Sequence, residues 1–215
     1  MVDIFLANYD ALLEALFLTI RVTLGSLVLG CAIGLLFAFF RLSHLKILNY
    51  IANVYLALIR GMPMIVQIAI LYFGISSIVS LPQYWAGVLA LAIHNGAYIS
   101  EIFRGAIVSI DKGQMEASRS LGMTYALAMR RIILPQAIKR ALPSLGNQFI
   151  ICLKESSLVA YIGMSDLWGT TIAIAGTNYQ PLKTYVVTGV YYLVLVLIFS
   201  YVFNKLEAKY RLKQS

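Results

Sequence analysis

The sequence predicts an all-α, polytopic membrane protein, with five transmembrane helices and a pair of short cytoplasmic helices between the third and fourth. Three observations carry this. Of 215 residues, 60% are hydrophobic and 12% charged, and the mean hydropathy is +0.82, a balance that no ordinary soluble domain shows. Apolar stretches of about 20 residues recur, each long enough to cross the hydrocarbon core as a helix. Basic residues gather in alternate intervals between these stretches, as the positive-inside rule requires.

The spans fall at about 16–40, 51–75, 84–105, 145–163 and 185–204. Residues 1–215 read as one transmembrane domain. In the first span Gly25, Gly30 and Gly34 offer places where another helix can approach closely. The N-terminus carries Asp3, Asp10 and Glu14 and no early Lys or Arg, so the first span is expected to be retained rather than cleaved as a signal. Thirteen of the 17 basic residues fall on one side if there are five crossings, among them Arg41, Lys46, Arg130 and Lys205. The other side holds the acidic start, an uncharged loop from Ser76 to Gln83, and a loop with Asp166 and Lys183. An odd number of crossings then puts the N-terminus outside and the C-terminus in the cytoplasm.

The net charge of +8 is thereby spent on topology and anionic lipid contact, and no basic face of a nucleic-acid binder accompanies it. Cys31 and Cys152 lie inside apolar spans and read as small hydrophobes, not as a disulfide or a metal pair. The longest polar interval, Ile110 to Leu142, is too short for a domain with its own core. No phosphate-binding loop occurs, so any ATP is hydrolysed by another polypeptide.

Within that interval Asp111 can cap a helix from Lys112 to Leu121, with Gly122 in the left-handed position after it. Thr124 can cap a second helix toward Leu134, with Pro135 stopping or kinking the chain and Pro143 opening the fourth span. Three polar sites fall at similar depth. Arg60-Gly61-Met62-Pro63 invites a break in the second span, which lipid tolerates only beside protein or a wet cavity. Pro63 then suits the start of a half-helix whose free N–H groups face a carboxylate; Gln67 lies one turn further on. In the third span His94, Asn95 and Tyr98 are polar and central. In the fourth, Lys154 and Glu155 precede Ser156, and a charge at that depth costs about 2.5–3.5 kcal/mol without a partner or a cavity. Glu155 for an ammonium, a half-helix end for a carboxylate, and Asn95, Tyr98 and Ser156 for orientation suit a zwitterion.

Glu116-Ala117-Ser118, Leu121-Gly122 and Ile132-Ile133-Leu134-Pro135 together resemble the EAA loop of ABC-importer permeases, with Ser118 where that family usually has Ala. Arg60-Gly61-x-Pro63, Gly96-Ala97-Tyr98-x-x-Glu101-x-x-Arg104-Gly105, Gly146-Asn147-Gln148 and Lys154-Glu155-Ser156-Ser157-Leu158 resemble the polar amino acid (histidine, glutamine, arginine) permeases of that family. Met62 and His94-Asn95 depart from the usual Thr and Asn-Ser, and Trp168-Gly169 from a Thr-Arg seen in several relatives.

The resemblance implies a type I ABC importer permease fold in a bacterial plasma membrane. It implies a pair of coupling helices, within about 112–134, seated on an ATPase dimer that binds ATP and Mg, with no cofactor on this chain. Glu116 would supply an acidic contact, Ala117 and Ser118 small surfaces, Gly122 the turn, and Leu121, Met123 and Tyr125 the groove filling, with Pro135 closing the motif. A second permease copy or a homologue, an extracytoplasmic solute-binding protein and a polar amino acid complete the expected partners. The alternative is an ion-gradient-driven carrier or channel using Glu155, Lys154 and His94 as a relay. Five spans without an evident internal repeat weaken it.

Overall fold

The computed structural model describes residues 2–75 and 78–210. Among them the chain is helical throughout, with no strand. Helix α1 (Val2–Ala7) leads into α2 (Tyr9–Leu42), whose 34 residues are uninterrupted. Thr19, Thr23 and Ser26 on its buried face donate to carbonyls four residues earlier at 2.9, 2.8 and 2.6 Å, so these three hydroxyls are satisfied within the helix.

Helix α5 (Gln83–Val108) packs along α2 as the central pair. Of the three glycines, Gly34 makes the closest approach. A Cβ there would stand 2.6 Å from Ile99 Cγ2 and 3.0 Å from the Gly96 carbonyl, against 3.3 Å at Gly30 and 3.5 Å at Gly25. Ile99 is fully buried and, being β-branched, holds one rotamer in a helix, so it cannot yield. Gly34→Val is therefore expected to cost about 1–3 kcal/mol, read as a lowered thermal midpoint of the purified protein in detergent. An unchanged midpoint would show that the crossing is not close-packed.

The second span is not one helix. Helix α3 (Lys46–Gly61) stops at the Gly-Met-Pro break, and α4 (Met64–Ala69), continued by a π-turn at Ile70–Gly74, leaves at a bend of 107°. Gly61 has no side chain to continue packing, and Pro63 has no N–H to carry the ladder on. Pro63 sits one residue before α4, as its cap.

The fourth span also differs from its expected bounds. Helix α8 (Leu134–Glu155) starts well before residue 145 and passes into a 3₁₀ segment, Ser156–Ile162, closed by Gly163 at φ +79°. Pro135 opens α8 instead of ending the helix before it, because a first-turn proline lacks only an N–H that has no helical partner. Pro143, expected to open the span, lies inside the helix.

The supposed loop around Asp166 is largely a helix, α9 (Leu167–Asn178), bent 53° from the preceding rod. Buried Asp166 caps it, accepting from Trp168 and Gly169 N–H at 3.3 and 3.0 Å. A Cβ on Gly169 would meet the Met164 carbonyl at 2.2 Å, which accounts for the glycine in this turn. Tyr179, left-handed at φ +54°, ends α9 before α10 (Pro181–Tyr210).

By length and composition three helices (α2, α5 and α10) can each cross a membrane, or up to five spans if each bent pair counts as one. Ser76 and Ser77 of the uncharged loop, and Arg211 and Lys213 of the basic tail, lie outside the described residues.

Candidate functional site

The break in the second span leaves carbonyls at the end of α3 without helical partners. Gln67, buried on α4, answers two of them: its Nε2 donates to Ile59 O at 2.7 Å and to Met62 O at 2.9 Å. Its Oε1 lies 3.3 Å from His94 Nδ1 on α5, and His94 Nε2 lies 3.7 Å from Glu155 Oε1 at the end of α8. One polar chain thus joins the break, the central helix and the only carboxylate among residues 130–160. Glu155 is half-buried and its Oε2 is buried with no hydrogen-bond partner. Lys154, one position earlier, is exposed, as the 100° turn between neighbours requires.

Tyr98 lies beside this chain, its ring centroid 5.2 Å from that of His94 and under the Arg60 guanidinium at 5.4 Å. Both line a cleft of about 540 Å³ with Arg41, Asn53, Gly61 and Glu101. Gly61 is exposed, and a Cβ there would meet nothing within 4 Å, so the break opens onto free space. Pro63 is also exposed and Met62 half-buried. Glu101 accepts from Arg104 at 3.0 and 3.3 Å, one turn along α5, and also pairs with Arg41 of α2. Glu101, Arg104 and Arg41 thus form a three-residue network tying α2 to α5.

Two candidates stand apart. Asn95 is fully buried on another side of α5, where its Nδ2 donates to Leu91 O at 2.9 Å and its Oδ1 accepts from Gln148 of α8 at 2.6 Å. Ser156 is fully buried and donates to Leu153 O at 2.8 Å. Asn95 ties α5 to α8, the Ser156 hydroxyl is satisfied within its own rod, and neither lines the cleft. Sequence reasoning missed Tyr55, whose hydroxyl donates to Ile93 O at 2.6 Å beside His94 and whose ring stacks on Phe37 at 4.0 Å. A tyrosine in an apolar span, needing one partner for its hydroxyl, was the available signal. Arg41 was read only as a topology charge.

On the opposite end of the same rod, α6 (Lys112–Ser120) is capped by Asp111, whose carboxylate accepts from Gly113 N at 2.6 Å. It ends in a Schellman turn: Met123 N–H donates to Ser118 O and Gly122 N–H to Arg119 O, with Gly122 at φ +82°. Thr124 caps α7 (Tyr125–Ala128) by accepting from Leu127 N at 3.3 Å. The second cytoplasmic helix does not stop at Leu134. A π-turn at Met129–Ile133 joins α7 to α8, so Tyr125–Ile162 is one continuous helical rod.

Glu116, Ala117, Leu121 and Gly122 are exposed, Leu121 to 84%, beside exposed Tyr125. Met123 is partly buried and Pro135 exposed on the first turn of α8. Ser118 is buried, its Oγ donating to Gln114 O at 2.6 Å, so it is not part of the exposed surface. Its smallness lets α6 pack on the π-turn. Arg140 of α8 donates to the Ser109 carbonyl and to its Oγ at 3.2 Å, fastening the rod to the end of α5.

The chain is thus a helical bundle with a broken span, a half-buried carboxylate at the end of α8, and an exposed helical hairpin at the other end of the rod. Over residues 30–212 the chain matches the family described as "Binding-protein-dependent transport system inner membrane component", and it belongs to that family. It is 34% identical over 200 residues to the arginine transport system permease protein ArtQ of Bacillus subtilis (strain 168), covering 92% of this chain and 91% of that one. It is 36% identical over 204 residues to the glutamine transport system permease protein GlnP of Escherichia coli (strain K12), covering 94% and 93%. A solved structure described as an amino acid ABC transporter with histidines superposes with a TM-score of 0.88 at 38% identity, covering 95% of this chain and 96% of that one. Family and fold agree with the reading of the EAA-like loop.

Proposed function

We propose that this chain is the transmembrane subunit of an ATP-driven importer for polar amino acids, with its N-terminus outside and its C-terminus in the cytoplasm. The observation that carries this reading is the rod Tyr125–Ile162, which joins the exposed EAA-like hairpin to Glu155 without a break. The 22 residues of α8 alone separate the two ends by about 33 Å. A displacement applied to the hairpin by an ATPase is thus delivered to the carboxylate as rigid-body motion.

Glu155 receives the ammonium of the solute, since a half-buried carboxylate with one unpartnered oxygen is poised for a charged donor. The adjoining cleft, of about 540 Å³, lies in the size range of ligand pockets, and Arg41 and Arg60 outnumber Glu101 on its wall, which favours the solute's carboxylate. Glu116, Ala117, Leu121, Gly122 and Tyr125 form the face that meets the ATPase dimer, where ATP and Mg are bound. A second permease copy and an extracytoplasmic binding protein complete the assembly. Membership of a binding-protein-dependent transport family favours this reading over an ion-gradient carrier.

The test is to purify the tagged chain from its own host, identify what comes with it, and reconstitute the complex in liposomes with its binding protein. An ATPase subunit is expected to co-purify, and one or more polar amino acids, from a panel of L-amino acids and L-cystine, to stimulate hydrolysis. Uptake that proceeds without ATP and follows the proton gradient would overturn the proposal.

A further inference from the structure

The hydrogen bonds around His94 fix more than its position. Both N–H groups of the Gln67 amide are spent on the carbonyls of Ile59 and Met62, which only accept. Gln67 therefore turns Oε1 to the imidazole, and that oxygen too can only accept, so Nδ1 carries a hydrogen. A neutral His94 then presents the lone pair of Nε2 to Glu155 Oε1 at 3.7 Å. Two acceptors facing each other need a proton between them. It resides on the ring, giving imidazolium and carboxylate, or on the carboxyl, whose O–H then faces Nε2. Either way the pair is neutral and holds one shared proton.

We infer that the ammonium of the incoming amino acid replaces this proton, so that His94 makes substrate binding at Glu155 an exchange of one cation for another. The inference rests on the reading of Glu155 as the ammonium receptor. The balance is simple: the neutral pair plus R–NH₃⁺ gives a carboxylate–ammonium pair beside neutral His94, and H⁺ leaves to water at the solvent-accessible part of the Glu155 side chain. Keeping both cations would leave one buried charge uncompensated, because among the described residues Glu155 is the single carboxylate paired with His94.

The charged and titratable groups around the pair do not supply an alternative. From α5 come Tyr98, against the ring, and Glu101, committed to Arg41 and Arg104. From α3 come Tyr55, bonded to Ile93 O, and Arg60, over the Tyr98 ring, whose charge further disfavours a second cation. From α8 come Cys152, buried, and Lys154, exposed; from α2 comes Cys31, half-buried. The unpartnered Glu155 Oε2 is the position that the ammonium's N–H groups satisfy.

The experiment is calorimetric titration of the purified complex, in detergent and without binding protein, with each of the standard L-amino acids and L-cystine. It is repeated in two buffers of different ionisation heat between about pH 5 and 8. The wild type is expected to release about one proton per amino acid bound on the acid side of this range, with Kd rising about tenfold per unit fall in pH. His94→Asn and His94→Gln keep an amide N–H for Gln67 but cannot titrate; either, if it folds, is expected to bind with no proton released and no such slope.

Binding by the wild type without proton release at any pH, or release that persists in a folded His94 variant, overturns the exchange while leaving the Glu155 reading intact. Failure of every amino acid to bind the wild type, or wild-type affinity in Glu155→Gln, overturns the underlying site and the exchange with it.

Discussion

Glu155→Ala is expected to abolish transport while an attached ATPase stays in place. On the proposed reading the carboxylate receives the solute's ammonium, and truncating one partner of a buried charge pair costs about 2–5 kcal/mol. At the low end of that range affinity falls about 30-fold. The loss in uptake is greater where binding is also needed to trigger closure. Removing the carboxylate does not unfold the site, because His94 keeps its contact with Gln67 and Gln67 its two carbonyls. The hairpin is distant, and its caps at Asp111 and Thr124 are local, so association with the ATPase is unchanged. Uptake into proteoliposomes and the stoichiometry of the co-purified complex read the two effects separately. Normal affinity and rate in the variant would take Glu155 out of the pathway.

The first helix, the turn and the caps of the hairpin were legible in the sequence because their determinants are local, whereas the end of its second helix was not. Asp111 and Thr124 cap by side-chain bonds two or three residues away, and Gly122 is needed for a left-handed turn that other residues rarely adopt. The break at Gly61 to Pro63 was legible for the same reason. Its 107° angle was not, since that is set by what α4 packs against.

Helix α9 was hidden because its hydropathy says only that it is buried. Its start depends on Asp166 turning inward onto Trp168 and Gly169, in what read as an outer loop. The prolines misled in a consistent way. Pro135 and Pro143 were read as boundaries, yet a first-turn proline is compatible with a helix and an internal one is tolerated where neighbouring helices absorb the kink.

Within the site, residue type was a good guide and direction a poor one. His94 and Asn95 are adjacent, so they diverge by about 100° around α5. One meets Glu155 and the other Gln148, and nothing in their shared polarity told which would meet the carboxylate. Ser156 and Ser118 failed likewise: each hydroxyl is satisfied by its own helix, a role that any small hydroxyl residue fills in an apolar setting.

Charge reversal at the other end of the rod gives the complementary result. Glu116→Lys is expected to detach the ATPase and leave the membrane portion folded. Glu116 is exposed on α6, and its described contact is through the backbone, where its carbonyl accepts from Ser120 Oγ at 3.0 Å. An exposed substitution of this kind shifts folding by no more than about 0.5 kcal/mol. Where Glu116 meets a cation of the ATPase, the same change sets two cations face to face, a loss of about 2–5 kcal/mol and at least about 30-fold in association. The purified variant should keep its thermal midpoint and its amino acid binding, yet yield little ATPase on co-purification and no ATP-driven uptake. Recovery of an intact complex with normal uptake would place the coupling elsewhere on the chain. If the hairpin is the sole mechanical input, severing it leaves Glu155 able to bind its solute but unable to be moved, and that separation of binding from transport distinguishes a lever from a scaffold.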